Sequence, residues 1–304
     1  MSFCLKVLGS GSAVPVFGRN HTSQALTINN NTFLIDCGEA TQLQLSKFGI
    51  KKERIVAIFI SHLHGDHYLG LMGLLSSMHL LGRSKPLTLV GPQGLKEIIS
   101  LQLKYSATVL KYDLQFREIS GETSLVFENK KLTVKAFPLQ HRISCFGYRF
   151  DEKLKPVRIN KERLPKDIKL LEIGSLKSGK DVLNADGSIK YSVVNHTLPP
   201  RKSRSFAFCS DTRYFKELAI HVDGVDLLYH EATFIEVHAD LADKTFHSTA
   251  RQAGKIAHLS NVQKLVIGHF SARYKELDTF LKEAQIEFPS TELAEDGATF
   301  CIED

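Results

Sequence analysis

Residues 61–67 read Ser-His-Leu-His-Gly-Asp-His and follow the apolar run Ile55–Ile60. Three imidazoles and one carboxylate packed so closely are hard to reconcile with core packing alone. His62, His64, Asp66 and His67 lie where a predicted strand gives way to a helix, so a turn can bring alternate side chains together. Imidazole with carboxylate suits zinc, with manganese or iron as other occupants. Four groups are too few for two complete metal shells, so further ligands are expected just after other apolar runs. His141 follows Leu132–Leu139, Asp211 follows Phe206–Ser210, and His269 follows Leu265–Gly268. Each stands at the C-terminal end of a predicted strand, where open α/β folds place their sites. The set divides if one carboxylate is shared. His62, His64 and His141 hold one ion, Asp66, His67 and His269 the other, and Asp211 touches both. Two ions per subunit imply hydrolysis. Read singly, His141 and His269 are loop histidines and Asp211 is a helix N-cap before Thr212. Their joint placement is the argument.

Such a site needs rigid strands beneath it. Strands are expected at Phe3–Leu8, Gln24–Ile28, Phe33–Ile35, Ile55–Ile60 and Leu87–Val90, with Asn29–Asn31 as a hairpin turn. Others are expected at Leu114–Ile119, Leu125–Glu128, Leu132–Pro138, Phe146–Phe150, Ser205–Cys209, Leu227–His230, Lys264–Ile267 and Ala298–Ile302. Helical spacing marks Glu39–Phe48, Tyr68–Leu81, Leu95–Leu103, Ser248–Ser260 and a last helix near Ala272–Glu287. Between about 151 and 200 the periodicity fades and charged and turn residues dominate. The pattern predicts one α/β layered domain over residues 1–304 with an arm inserted at 151–200.

The arm is where the charge lies. Residues 149–204 hold 14 Lys/Arg against 7 Asp/Glu, whereas the chain's net charge is only +6. A local basic excess points to an anionic partner. No stretch nears the roughly 18 uninterrupted apolar residues that a membrane span needs, and the N-terminus shows no signal-peptide pattern. Five cysteines with no C-x-x-C pair predict neither a zinc ribbon nor a disulfide framework. A reducing, cytoplasmic location follows. Cys4, Cys37, Cys209 and Cys301 read as small buried hydrophobes.

These residues resemble the metallo-β-lactamase-fold hydrolases, and more narrowly the ribonuclease Z family of tRNA 3′-processing endonucleases. The narrow resemblance rests on Leu8–Pro15 with Arg19-Asn20, Phe33–Gln42, Gly91-Pro-Gln-Gly94, Ser210-Asp-Thr212, His230-Glu-Ala-Thr233, His247-Ser-Thr249 and Gly268-His-Phe-Ser-Ala-Arg-Tyr274. It implies an αββα sandwich with a flexible basic arm that clamps tRNA. Ile173–Gly179 is similar to part of that arm, and Lys177 and Lys180 become candidate RNA contacts. The Gly-Pro-rich turn usual before it is absent; Lys169-Leu-Leu-Glu172 stands there.

The resemblance also implies roles. Asp66 orients or deprotonates the attacking water, and His247, held by Glu231, protonates the leaving ribose 3′ oxygen. Ser271, Arg273 and Tyr274 are candidate phosphate contacts, whereas His230 is structural. The expected activity is zinc-dependent removal of the 3′ trailer from pre-tRNA, leaving a tRNA 3′-hydroxyl and a 5′-phosphorylated trailer. Homodimerisation is implied too, one subunit's arm serving the other's site. The alternative within enzymes is a small-molecule phosphodiesterase or lactonase-type hydrolase of the same fold, which has no need of a basic arm. A non-catalytic RNA-binding protein has no need of seven metal ligands.

Overall fold

The computed structural model describes residues 2–303. In chain order the first strands are β1 (Phe3–Gly9), β2 (Ser23–Ile28), β3 (Asn31–Ile35), β4 (Ile55–Phe59), β5 (Leu87–Pro92), β6 (Leu114–Ile119), β7 (Ser124–Glu128), β8 (Leu132–Leu139) and β9 (Cys145–Glu152). Then come β10 (Arg158–Ile159), β11 (Val182–Leu183), β12 (Ile189–Tyr191), β13 (Thr197–Leu198), β14 (Ser205–Cys209), β15 (Leu227–Glu231), β16 (Lys264–Gly268), β17 (Thr291–Leu293) and β18 (Thr299–Cys301). The helices are α1 (Thr41–Lys47), α2 (Gly65–Tyr68), α3 (Leu71–Leu80), α4 (Leu95–Tyr105), α5 (Leu170–Lys177), α6 (Val193–His196), α7 (Leu218–Val222), α8 (Ala239–Thr245), α9 (Ala250–Leu259) and α10 (Asp278–Glu287).

Two mixed seven-stranded sheets stack face to face, ordered β18-β1-β2-β3-β4-β5-β6 and β17-β16-β15-β14-β9-β8-β7. Each has an antiparallel half and a parallel half. β4 shows why its run is apolar throughout. Ala57 and Phe59 join the cluster between the sheets, whereas Ile58 and Ile60 join the cluster under the helices of the outer layer. A strand covered on both faces has no polar side. Phe59 meets Tyr148 and Phe150 edge-on, with centroids 5.2 Å apart in both pairs. α7, α9 and α10 cover the other sheet through Leu218, Ile256 and Phe280. The layers are therefore the expected αββα.

Three predicted boundaries move, each for a local reason. The helix predicted at Tyr68–Leu81 starts at Gly65 and is interrupted before α3. A Cβ on Gly70 would lie 2.1 Å from the Gly38 carbonyl oxygen, so the chain must pass there without a side chain. The last long helix begins at Asp278, not near Ala272, because the preceding segment receives Arg19 through the Tyr274 and Lys275 carbonyls. The helix expected from Ser248 is α9, capped by Thr249 in a reciprocal pair with Gln252.

The reading of Cys4 and Cys301 as buried hydrophobes is wrong. β18 returns beside β1 with Cys301 opposite Cys4, and the two form a disulfide. Register across a sequence separation of 297 creates the pair, so spacing could not show it. Cys37, Cys145 and Cys209 remain buried thiols. Thiol titration of the unreduced, denatured protein is expected to count three thiols; a count of five would remove the bridge.

The segment between β9 and β14 is where the sequence predicts an arm. It is not bare loop: β10 pairs with β13 and β11 with β12, and α5 packs among them. At its root Arg204, 1% exposed, forks onto both Glu152 oxygens at 2.9 and 2.7 Å. Burial would raise the Glu152 pKa, but Arg204 and Lys155 hold it below the usual range. No helix among the described residues is long and apolar enough to cross a membrane.

Candidate metal centre

The sequence-selected ligands meet at one end of the sandwich. β4 delivers the His62–His67 loop, β8 leads to His141, β14 to Asp211 and β16 to His269. The two sheets are fastened together at this end. The Tyr148 hydroxyl donates to the Ile60 carbonyl at 2.6 Å, the Phe146 amide to Ser61 O at 3.0 Å, and Ser210 Oγ to Ser61 Oγ at 2.9 Å. Asp36 (φ 54°), Phe246 (φ 60°) and His269 (φ 63°) hold left-handed backbone around the site. Such conformations are costly and persist where the surroundings over-determine them.

Ligand atoms of His62, His64, His141 and Asp211 lie within 4.8 Å of one another, as do those of Asp66, His67 and His269. Asp211 spans the two groups. Its Oδ2 is 3.6 Å from His62 Nε2 and 3.9 Å from His141 Nε2. Its Oδ1 is 3.3 Å from His269 Nε2 and 3.5 Å from His67 Nε2. Asp66 Oδ2 faces the same two imidazoles at 3.3 and 3.5 Å.

The arrangement fits cations on an observation independent of motif. His67 Nε2, His269 Nε2 and Asp211 Oδ1 are buried with no hydrogen-bond partner among the described residues. Buried polar atoms are normally paired, and these three converge on one point. Electrostatics agrees. Burial, then His67, pushes the His62 pKa well below its ordinary value, and burial chiefly lowers His64 and His141. Neutral imidazoles are what a metal binds. Burial opposes charge on His67, but Asp211, Asp66 and Asp36 raise its pKa well above the ordinary value. Three carboxylates around this ring demand positive charge, which a divalent ion would supply. Burial would raise Asp211, yet His269 and His67 hold it far below the carboxylate range.

Three of the imidazoles are aimed by a partner behind them. His67 Nδ1 bonds Asp36 Oδ2 at 2.7 Å, His141 Nδ1 the Phe246 carbonyl at 3.0 Å, and His269 Nδ1 the Thr233 hydroxyl at 2.9 Å. The sequence reading missed all three. Asp36 carried a usable signal, because it too follows an apolar run, Phe33–Ile35. It also accepts the Ser61 amide at 2.7 Å, so it anchors the loop as well as the ring.

His247 sits beside the cluster, its Nδ1 3.0 Å from Glu231 Oε1. Glu231 is fully buried and accepts the amides of Thr212, Thr233 and Ser248 at 2.9–3.1 Å. Burial disfavours the His247 imidazolium, but Glu231 and Asp211 outweigh it and raise its pKa to about 9. His230 bonds the Glu231 carbonyl at 2.6 Å within the core. Ser271, Arg273 and Tyr274 follow His269; the Arg273 backbone amide donates to Ser271 Oγ, and the Tyr274 hydroxyl is engaged by His238 Nδ1 at 2.6 Å. Lys177 and Lys180 are exposed in the arm, away from the cluster.

The sequence model of the family described as "Anti-Pycsar protein Apyc1" matches residues 3–155 and places that half of the chain in it. The match takes in His62–His67 and His141 but stops before Asp211, Glu231, His247 and His269. Full-length relatives cover those too. A protein named ribonuclease Z from Cytophaga hutchinsonii is 47% identical, over 100% of this chain and 97% of its own. Another from Bacteroides fragilis is 43% identical, over 99% and 98%.

The chain belongs to the ribonuclease Z family.

The structure of human tRNase Z, short form, agrees with this chain over 98% of each, at 27% identity and a TM-score of 0.71. Similarity to these proteins thus extends over residues 151–200 and all the candidate ligands.

Proposed function

We propose that this chain is the endoribonuclease that removes the 3′ trailer from tRNA precursors, leaving a 3′-hydroxyl on the tRNA and a 5′-phosphate on the trailer. The observation that carries the reading is agreement along the whole chain, arm included, with ribonuclease Z proteins. His62, His64, His141 and Asp211 would hold one zinc ion, and Asp66, His67, His269 and Asp211 the second; manganese or iron accept the same donors. When bound, such ions supply Lewis-acid charge at phosphorus and make water an effective nucleophile near neutral pH.

The chain's own groups do the rest. Burial would raise the Asp66 pKa, but His67 and His269 hold its carboxylate ionised far below the usual range, so it can orient the attacking water as a hydrogen-bond acceptor. Glu231 takes the Nδ1–H of His247, which leaves the other ring nitrogen for the departing 3′ oxygen. That geometry suits an alkoxide leaving group, poor unless protonated. Tyr274 would bind phosphate only after its His238 partner is exchanged, whereas the Arg273 guanidinium and the Ser271 hydroxyl hydrogen have no partner among the described residues to give up.

The arm, residues 151–200, would clamp tRNA, with Lys177 and Lys180 among its contacts. Its place favours a homodimer. β8 runs from the arm end of the sheet at Leu132 to the cluster end at Leu139, and its 8 residues at about 3.3 Å each span about 26 Å. An arm rooted that far from its own site serves a partner's site more readily. With tRNA precursors as substrate, the place of action would be the cytoplasm.

Incubation with a 3′-extended precursor is expected to give one cut with 3′-hydroxyl and 5′-phosphate ends, and chelation should stop it. Precursors with and without an encoded CCA end would show what that end does. Products ending in 2′,3′-cyclic phosphate would sink the hydrolytic reading.

A further inference from the structure

Beside His247 lies a cavity of about 330 Å³ that the mechanism leaves unused, lined by Tyr214, Ala239, Asp240, Asp243, His247 and Gln252. It is formed by the loop after Asp211, helix α8 and the first turn of α9. Its volume falls in the range of roughly 300–1,000 Å³ typical of small-ligand sites. His247 is its only member that also belongs to a metal-ligand group.

We propose that this cavity binds the base of the last nucleotide kept by the tRNA, the one whose 3′ oxygen leaves, and that it favours bases bearing an amino group. The inference rests on the proposed function, and in particular on His247 as donor to that oxygen. The ribose carrying the leaving oxygen must then approach from the His247 side, and the cavity is the space its base meets there.

The lining chemistry selects a base over a phosphate. Tyr214 is half-buried, packed on one side against the core cluster under α7 and α9, and offers a ring for stacking. Unpaired RNA bases are recognised by such stacking together with hydrogen bonds to their Watson–Crick edges. The Gln252 side chain uses its oxygen to accept the Thr249 amide at 2.9 Å. Its amide hydrogens have no partner among the described residues. The Asp240 carboxylate has none either. Asp243 is partly neutralised by Arg213, whose Nε lies 3.7 Å away. Two carboxylates repel a phosphodiester but accept from N–H groups. Adenine, guanine and cytosine each present an exocyclic amine to Asp240, while Gln252 can donate to a ring nitrogen or carbonyl. Uracil has no amine.

The test uses the full-length protein and four precursors that differ only in the last retained base. Wild-type kcat/KM is expected to be about tenfold lower for uracil than for adenine. Asp240→Asn should bring that ratio close to one. The ratio is internal to each preparation, so a partly unfolded variant would not mimic the effect. Tyr214→Ala should raise KM about tenfold on all four, in line with loss of one base–aromatic stack, and Tyr214→Phe should restore it. A wild-type ratio retained by Asp240→Asn, or an unchanged KM in Tyr214→Ala, overturns the inference. Failure of the wild type to cut any precursor would instead defeat the proposed function, and this inference with it.

Discussion

Asp211→Asn is expected to lower kcat/KM on precursor tRNA by at least about 10²–10³-fold, the scale seen when one preorganised electrostatic group is removed. The substitution keeps shape and volume and takes away one negative charge. Asp211 is the residue whose two oxygens face both ligand groups, four imidazoles in all. An amide offers one neutral oxygen and one NH2 group, and the NH2 points donors where a cation should sit. Metal content measured on the purified variant should therefore fall along with activity. Folding is expected to survive, because the Tyr148–Ile60, Phe146–Ser61 and Ser210–Ser61 bonds that fasten the sheets do not involve Asp211. Near-wild-type cleavage by this variant after metal stripping would end the two-metal reading.

Much of this site was legible because ligands follow strands. An apolar run buried on both faces is visible in sequence, and the first polar residues beyond it are where function can sit. His62–His67, His141, Asp211 and His269 were found that way. Asp36 meets the same rule but lies upstream of the motif, whereas further ligands were expected at later strand ends. Thr233 and the Phe246 carbonyl have no such signal. A hydroxyl and a backbone oxygen become orienting groups only through tertiary placement. Short elements were equally silent. α7 spans 5 residues and β17 spans 3, too few for any period to emerge. The arm read as loop because its strands are only two or three residues long. The Cys4–Cys301 pair depends on which strand returns beside β1, and local spacing carries no trace of that.

Excising residues 156–200 and bridging the ends with a short Gly-Ser linker is expected to lower kcat/KM on precursor tRNA by about 10²-fold or more. Hydrolysis of bis(p-nitrophenyl) phosphate should stay close to wild type. The cut is structurally modest. Glu152 N and Arg204 O are hydrogen-bonded at 2.9 Å, and the Arg204–Glu152 fork lies below the excision. The sheet therefore closes without the arm. What is lost is charge: Arg158, Lys161, Arg163, Lys166, Lys169, Lys177, Lys180 and Lys190 all go. Each phosphate contact contributes a slope of about −0.9 for duplex RNA or DNA, or −0.7 for single strands, to log K against log salt. The wild-type KM should therefore rise steeply with salt, and the armless KM much less. A mixing experiment then separates the dimer from the monomer. Armless subunits carry intact metal ligands, and Asp211→Asn subunits carry intact arms. If one subunit's arm serves its partner's site, co-refolded mixtures should cleave precursor tRNA although neither parent does. The recovered rate should peak near equal proportions, where mixed dimers are most abundant. Absence of recovery in a mixture shown to contain mixed dimers would place each arm over its own site. In that case the arm would have to fold back along the roughly 26 Å of sheet that separates its root from the cluster.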